Sequence, residues 1–394
     1  MLVVSAMLLS ALASGFASDA VQPDTAARRD DLKKSYGDVC DKLGKLYENL
    51  TPEREDELDA LMNRSWSLAE QWLLSYLADH PDSAADELAA DLRTLSPPSR
   101  SENDDVPGPL DAGAVSLATG SYAIAIHSGS RRSTIVIAAR SAKGDYRIAW
   151  RIRTVPLDAR AEEGELGRWR TSGPGWHDGP LDGKVILAPK SAGGEARFWV
   201  DAVARPDAGL ICPAQISLWR WTGKTAVLEY VAMYDAPGQT HVELQGDVLR
   251  LRVNTPLACF APCGACDGPH ATWSLRLRDH GVEDLGRVDD DPELHALHEL
   301  FRRVAAAKDA SALAAPAAIA YVKSQFASMR DKYVRDDGEE CWVGLIMGEW
   351  KVEHHAGKSV LDAHFDRLYP LSVAFETRNG RPFVTGIEEH PERE

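Results

Sequence analysis

The feature that most constrains this fold is a change of hydrophobic periodicity along the chain. From Ala114 to about Val288, apolar residues recur at every second position in short runs, for example at 146–150 and 248–253, with turn residues between the runs. A period of two is typical of strands, and many short strands separated by turns are typical of an antiparallel sandwich. We therefore predict a central antiparallel β-sandwich at 110–290, with a partial propeller-like β domain as the alternative.

Before this region, at 25–95, the apolar residues follow a helical period. The segment Asp31–Leu50 carries apolar side chains three or four positions apart, which places them on one stripe of a helix: Leu32, Tyr36, Val39, Leu43, Leu46 and Leu50. Thr51-Pro52-Glu53 has the residue types that begin a helix, and this second helix ends near His80. A third, shorter helix is predicted up to Leu95, so 25–95 should form a helical hairpin or bundle.

Two further segments complete the predicted domain organisation. Residues 96–109 are rich in proline and charge and can bury almost nothing, which is typical of a linker. In 291–394, Pro292 begins a helix and a second helix is predicted from about Ala310 to Val334. Strand-like stretches follow, and Asn379-Gly380 between the last two predicts a tight hairpin. The expected fold is thus multidomain α+β, with the C-terminal helices packed on an antiparallel sheet.

The N-terminus has the pattern of a secretory signal. Leu2 to Phe16 carry no charge, and small residues follow in the small-x-Ala arrangement that signal peptidase cuts, so 1–20 is predicted to be a signal peptide. The basic residue that usually precedes the apolar run is missing. The run is too short to span a membrane, and no later stretch of the sequence is a candidate transmembrane segment. We therefore expect an exported protein, periplasmic or secreted.

The overall charge excludes one class of partner. The 394-residue chain has 44 Lys and Arg against 60 Asp and Glu, which gives a formal net charge of −16. Nucleic acid binding needs a concentrated basic surface, so we expect no nucleic acid partner.

The cysteines are candidates for disulfides, because in an exported protein an even number of cysteines usually pairs. The six positions are Cys40, Cys212, Cys259, Cys263, Cys266 and Cys341. Three of them lie within eight residues, and this cluster together with His270 is also compatible with a zinc site. The same spacing suits an iron–sulfur cluster, but the β-rich surroundings and the predicted export argue against one.

Histidines are concentrated near the C-terminus and provide the candidate for chemistry. Asp362 and His364 alternate along a predicted strand, so they should share a face, and His354 and His355 precede them. If the helix that carries His295 packed on that face, an acid–base pair could assemble. The sequence contains no HExxH zinc-binding motif, nucleophile elbow or phosphate-binding loop.

The segment 169–177 is the candidate binding loop. It places Trp169, Trp176 and His177 among glycine and proline, and loop aromatics on a β scaffold commonly stack on sugars or peptides. The sequence favours a non-enzymatic envelope or extracellular protein that binds a protein or glycan and needs no cofactor. An exported hydrolase that uses His354, His355, Asp362 and His364 is the alternative.

Overall fold

The computed structural model describes fourteen stretches of the chain: residues 25–47, 51, 54–95, 110–128, 132–153, 181–204, 212–236, 241–255, 261–262, 269–327, 332–334, 340–342, 346–365 and 368–390. The predicted signal peptide at 1–20 and the predicted linker at 96–109 lie outside the described residues. The described residues form a mixed α+β fold, mostly strands with five helices. None of these helices is long and apolar enough to cross a membrane.

Three helices precede the first strand: α1 (Thr25–Tyr47), α2 (Glu55–Asp79) and α3 (Ala85–Arg93). Their apolar positions are those predicted from the sequence, since Leu32, Tyr36 and Leu43 are all buried. The second helix begins slightly later than the sequence indicated. Thr51 accepts a backbone hydrogen bond from Arg54, and this turn precedes the first residue of α2.

Twelve strands of the described chain build three four-stranded antiparallel sheets. Sheet A contains β1 (Asp111–Ala118), β2 (Ser121–Ser128), β3 (Arg132–Arg140) and β4 (Tyr146–Arg153). Sheet B contains β5 (Leu181–Ala188), β6 (Ala196–Ala204), β7 (Cys212–Trp221) and β8 (Ala226–Ala236). Sheet C has the order β13 (Val282–Asp289), β12 (His270–Leu277), β10 (Val248–Asn254) and β9 (Val242–Gln245).

These sheets are layered face to face. The inner face of sheet A packs on one face of sheet B, through residues such as Ile137 and Phe198. The other face of sheet B packs on sheet C, through residues such as Trp199 and Leu251. The sequence predicts a sandwich of two sheets, with a partial propeller-like domain as the alternative. The described residues form three stacked four-stranded sheets rather than two, because sheet B is apolar on both faces. Phe198 and Trp199 are adjacent in β6 and point to opposite faces, yet both are fully buried.

The two outer faces of the layers are covered differently. The outer face of sheet A, which includes Ile124 and Val136, packs on the three helices in a shared hydrophobic cluster. The outer face of sheet C carries exposed polar side chains such as Arg250 and Arg252, which alternate with buried Leu251 along β10. This alternation keeps one face of sheet C solvated.

Polar contacts also fasten the helices to sheet A. Arg151 of β4 donates two hydrogen bonds, of 2.8 and 2.7 Å, to the Glu70 carboxylate of α2. The Tyr122 hydroxyl donates to the Ser83 carbonyl at 2.8 Å, and the Tyr146 hydroxyl donates to the Pro81 carbonyl at 2.6 Å. Burial is the main cause that raises the pKa of Tyr146 to about 12. The helices and sheet A are therefore joined by a shared hydrophobic core and by side-chain hydrogen bonds.

The C-terminal region contains α4 (Pro292–Ala305), α5 (Pro316–Ala327) and six strands, and a seventh, short strand at 261–262 joins them from an earlier part of the chain. The strands outside the earlier sheets are β11 (Ala261–Pro262), β14 (Lys332–Val334), β15 (Glu340–Trp342), β16 (Ile346–His355), β17 (Lys358–Phe365), β18 (Leu368–Arg378) and β19 (Arg381–Glu389). Sheet D has the order β11-β16-β17-β18-β19, while β14 and β15 form a separate pair. Both helices pack on one face of sheet D through a hydrophobic cluster that includes Leu297, Val322 and Val373.

The second predicted helix of this region is shorter than the sequence indicated. The backbone of 313–315 pairs with Val384 of β19, and Pro316 then begins the helix. At the other end, Lys332–Val334 pair with β15. Tertiary pairing of both flanks thus takes residues out of the predicted helix. The hairpin prediction is confirmed, because Asn379 and Gly380 have φ angles of 52° and 74° between β18 and β19.

Candidate functional site

Two predicted sites fall outside the described residues, and only their flanks are placed. Trp169, Trp176 and His177 lie between β4 of sheet A and β5 of sheet B. The cysteines Cys259, Cys263 and Cys266 flank β11, whose Ala261 and Pro262 pair in parallel with Ile346 and Met347 of β16. β11 is therefore the edge strand of sheet D.

The zinc alternative involves His270, which the structure does describe. His270 is the first residue of β12, pairs with Asn254 of β10, and is only 3% exposed. Within the part of the chain that the structure describes, no group of three or more His, Cys, Asp or Glu residues is arranged to hold a metal ion. The proposed zinc ligand set stays a prediction, because its three cysteines are not described.

Among the other disulfide candidates, Cys40 has a described side chain and is a free thiol. It lies on the buried face of α1 in the cluster shared with sheet A, where apolar side chains such as Leu73 and Val136 surround the region. Burial raises the pKa of the Cys40 thiol to about 11, so the group is an inert part of the core. The described structure therefore shows Cys40 as a free thiol and not in the disulfide predicted from the sequence. Cys212 and Cys341 are placed in β7 and β15 by their backbones only.

The register of sheet D separates the four candidate catalytic residues. His354 pairs with Ser359, which lies on the face that the helices cover, together with Leu361 and Ala363. Asp362 pairs with Lys351, and His355 with Lys358; these positions belong to the opposite face. His354 is thus divided from Asp362 and His355 by the sheet itself.

The open face of sheet D holds Asp362 in a polar surrounding. The Ser372 hydroxyl of β18 donates a hydrogen bond to Asp362 Oδ1. Lys351 Nζ lies 2.6 Å from Glu353 Oε1 on β16 and faces Asp362 across the strands. His364 is exposed, next to the point where the β17–β18 register shifts. Because α4 packs on the opposite face, His295 does not join Asp362 and His364, so the acid–base pair predicted from the sequence does not form.

On the covered face, the structure brings together a cluster that the sequence did not reveal. Glu293, in the first turn of α4, is 6% exposed, and its Oε1 accepts a 2.6 Å hydrogen bond from Ser359 Oγ. His354 Nδ1 lies 3.6 Å from the same oxygen, and 69% of the His354 side chain is exposed. Glu293 Oε2 is buried without a hydrogen-bond partner. A carboxylate held in this way can accept further hydrogen bonds.

The same helical turn makes further polar contacts on both sides. Trp350 Nε1 of β16 donates to Asp291 Oδ2 at 3.1 Å. His295 Nε2 lies 3.2 Å from Thr255 Oγ1, just after β10, and 3.4 Å from Asp289 Oδ1 of β13. His298, one turn later, is buried. The start of α4 therefore contacts sheet C and sheet D at once.

The sequence predicts the start of α4 at Pro292, but nothing in it marks Glu293 or Ser359 as functional. A glutamate in the first turn of a helix is ordinarily a solvent-exposed partner of the helix dipole. Only the packing of this turn against β16 and β17 buries the carboxylate. The neighbouring histidines, His295 and His354, were detectable as residues of interest because histidines cluster in this region.

No protein-family model matches the chain, and no curated protein matches it either. Among solved structures, a GH43_1 enzyme from Xanthomonas citri complexed with xylotriose is 10% identical, covering 77% of this chain and 80% of that one, at a TM-score of 0.25. A putative 6-phosphogluconolactonase from Bacteroides fragilis is 6% identical, covering 70% and 79%, at a TM-score of 0.16. Likenesses at these scores support neither a fold assignment nor an activity.

Proposed function

We propose that this chain is an exported binding protein, and that its binding surface includes Trp169, Trp176 and His177. One observation carries the proposal: these residues lie in the connection between two layered sheets, at 154–180. Other connections between consecutive strands of sheets A and B are much shorter, such as 141–145 and 222–225. Long connections inside compact domains are commonly functional.

The scaffold before this connection is rigid, which supports a binding role. Trp150 of β4 packs against Trp219 at 4.8 Å and against Phe198 at 6.4 Å, both with edge-to-face geometry. These contacts fix the last described strand of sheet A onto sheet B. Rigid β scaffolds commonly carry binding residues on the segments that join their strands. The aromatic, glycine- and proline-rich composition favours a neutral glycan or a peptide as the partner, and the negative charge of the chain disfavours nucleic acid.

The test compares two double variants of the purified chain. W169S/W176S removes both tryptophans, and L187S/V288S is the control, because Leu187 and Val288 are exposed apolar residues at 46% and 71%. Both proteins are applied to an array of neutral oligosaccharides and, separately, to a displayed random-peptide library. Truncating an aromatic hot spot commonly costs about 2 kcal/mol or more, so we expect ligands of the wild type to bind W169S/W176S at least tenfold more weakly. Equal binding by the wild type and both variants would contradict the proposal.

An exported hydrolase is the second candidate, and one contact favours it. The buried Glu293 Oε1 accepts a hydrogen bond from Ser359 Oγ and lies 3.6 Å from His354 Nδ1, so a carboxylate, a hydroxyl and an imidazole meet on the covered face of sheet D. Purified protein would be assayed on nitrophenyl esters, glycosides and phosphates. H354A and D362N then test the two faces of sheet D separately. Activity that survives in both variants, or none in the wild type, argues against a hydrolase built on these residues.

A further inference from the structure

We propose that the edge of β8 pairs with the same edge of a second copy of this chain, so that two copies of sheet B join across a twofold axis. β8 is the last strand of sheet B and is eleven residues long. Among the described strands, it is hydrogen-bonded to β7 alone. The inference does not depend on the binding surface at 169–177, because it uses only β8 and its neighbours.

The edge strands of sheets A and C carry features that oppose pairing with another chain. Such an edge presents unpaired backbone groups, and proteins protect it with charge, a bulge, a short length or a covering segment. In sheet C, β9 has only four residues, and β13 contains a register shift and several charged side chains. In sheet A, β4 carries three arginines, and the Arg93 guanidinium of α3 donates to the Ala112 carbonyl of β1 at 2.6 Å.

Two further long edges are protected in the same ways. The backbone of 313–315 pairs with Val384 and so covers β19 of sheet D. At the other edge of sheet B, β5 carries Asp182 and Lys184. Of these long edge strands, β8 is therefore the one that calls for a different explanation.

The segment 230–234 of β8 has no protective feature of this kind. Its sequence, Tyr-Val-Ala-Met-Tyr, contains no charge, proline or glycine. Tyr230, Ala232 and Tyr234 pack toward sheet C, so Val231 and Met233 lie on the other face of the strand. The Met233 side chain is 49% exposed. An apolar strip thus lies along an open edge of the central sheet.

The charge that precedes this strip is already paired. Glu229 falls at the register shift between β7 and β8, where Leu218 pairs with Tyr230 and Trp219 with Leu228. Its Oε1 accepts a 2.6 Å hydrogen bond from Arg220 Nε. The strip is therefore neutral in a chain whose formal net charge is −16, and two copies can approach at this edge without direct repulsion.

The order of the side chains favours a second copy as the partner. In antiparallel pairing about a twofold axis at Ala232, Tyr230 lies opposite Tyr234 of the second copy, and Val231 lies opposite Met233. Aromatic residues then face aromatic residues and aliphatic residues face aliphatic ones, which are stabilising cross-strand pairs. A peptide of unrelated sequence lacks this match. Because each edge occupies the other, assembly stops at two chains.

Sedimentation equilibrium of the purified full chain from about 1 to 200 μM tests the association. The paired segment is short, so we expect a weak dimer with a Kd on the order of 10–100 μM. The weight-average mass should rise from one chain toward two and not beyond. M233K places a charge on the strip and should weaken the dimer roughly tenfold or more. In the control L187K, the same change is made at a residue that is 46% exposed on β5, and this variant should dimerise like the wild type.

Cysteine cross-linking tests the register. Residues directly opposite each other in an antiparallel pair have Cα atoms about 4.5–5.5 Å apart, within the reach of a disulfide. Under mild oxidation, A232C should therefore form a disulfide between two chains at position 232, located by peptide mapping. The control V227C lies on the same strand, 38% exposed but far from the axis, and should not cross-link to itself.

Hydrogen exchange of the wild type gives a readout that needs no variant. Amide protection of 230–234 should rise with protein concentration, whereas that of 146–153 in β4 should stay constant. A wild type that keeps the mass of one chain at the highest concentration would overturn the proposal. So would a dimer that M233K leaves intact, or one in which A232C does not cross-link.

Discussion

Replacing Arg197 with methionine should weaken the contact between sheet B and sheet C. Arg197 is 2% exposed, and its guanidinium donates to the carbonyls of Pro189, Lys190 and Arg278 at 3.2, 3.3 and 2.8 Å. The first two carbonyls belong to the turn before β6, and the third lies in the turn after β12. One side chain therefore joins turns from two sheets, and its Nη1 also lies 3.6 Å from Glu229 Oε2.

The size of the effect follows from what the substitution leaves behind. Each buried acceptor that loses its donor costs about 1–3 kcal/mol. These costs overlap, because they describe the loss of one group. Glu229 keeps a cationic partner in the variant, because Arg220 Nε donates to Glu229 Oε1 at 2.6 Å. We expect R197M to lower the free energy of unfolding by about 3 kcal/mol, because three buried carbonyls lose their donor. R197K keeps the charge but lacks the planar fork, so its loss should be intermediate.

The assay is urea unfolding followed by near-ultraviolet circular dichroism. Trp199 and Trp273 lie in the core between sheets B and C, so they contribute to this signal from the layer that Arg197 joins. A loss below about 1 kcal/mol in R197M would show that the contacts of Arg197 add little beyond hydration.

Three further outcomes test other parts of the fold. Burial raises the pKa of the Cys40 thiol to about 11, so Cys40 should react with Ellman's reagent at pH 8 only as fast as α1 unfolds. Rapid reaction of the native protein at this cysteine, located by peptide mapping, would contradict its burial. E70Q weakens the two hydrogen bonds from Arg151, so it should lower the free energy of unfolding by about 1–2 kcal/mol, measured as a lower urea midpoint. The control E57Q, on the exposed side of α2, should change the midpoint little. Hydrogen bonds from Arg302, reinforced by Arg303, lower the pKa of Glu299 from 4.5 to about 2. The stabilising contribution of Glu299 is therefore present above pH 4.5 and is lost as the pH falls toward 2. The free energies of unfolding of the wild type and E299Q should converge over that range, and a constant difference would refute the pairing.

The candidate sites depend on which strand face a helix covers, and the sequence pattern does not predict this. Alternation along β17 correctly indicates that Asp362 and His364 point away from Leu361, but it cannot say which face a helix will cover. The register with β16 decides that His354 lies on the covered face beside Ser359, and this separates it from Asp362. The buried Glu293 is a tertiary outcome in the same way, because a first-turn glutamate has no sequence signature of burial.

The sequence by itself determined the kinds of element and their order, because helices and strands have different side-chain periods. It indicated helices before 96, strands from 114 to 288, and helices followed by strands at the end. It also marked the tight turn at Asn379-Gly380, whose positive φ angles favour these residue types. Only the tertiary structure decided how the sheets are layered. An apolar pattern on both faces of a strand, as in β6, predicts that the strand is buried but not which elements bury it. Packing between segments that are distant in sequence brings sheets A and C to the two faces of sheet B.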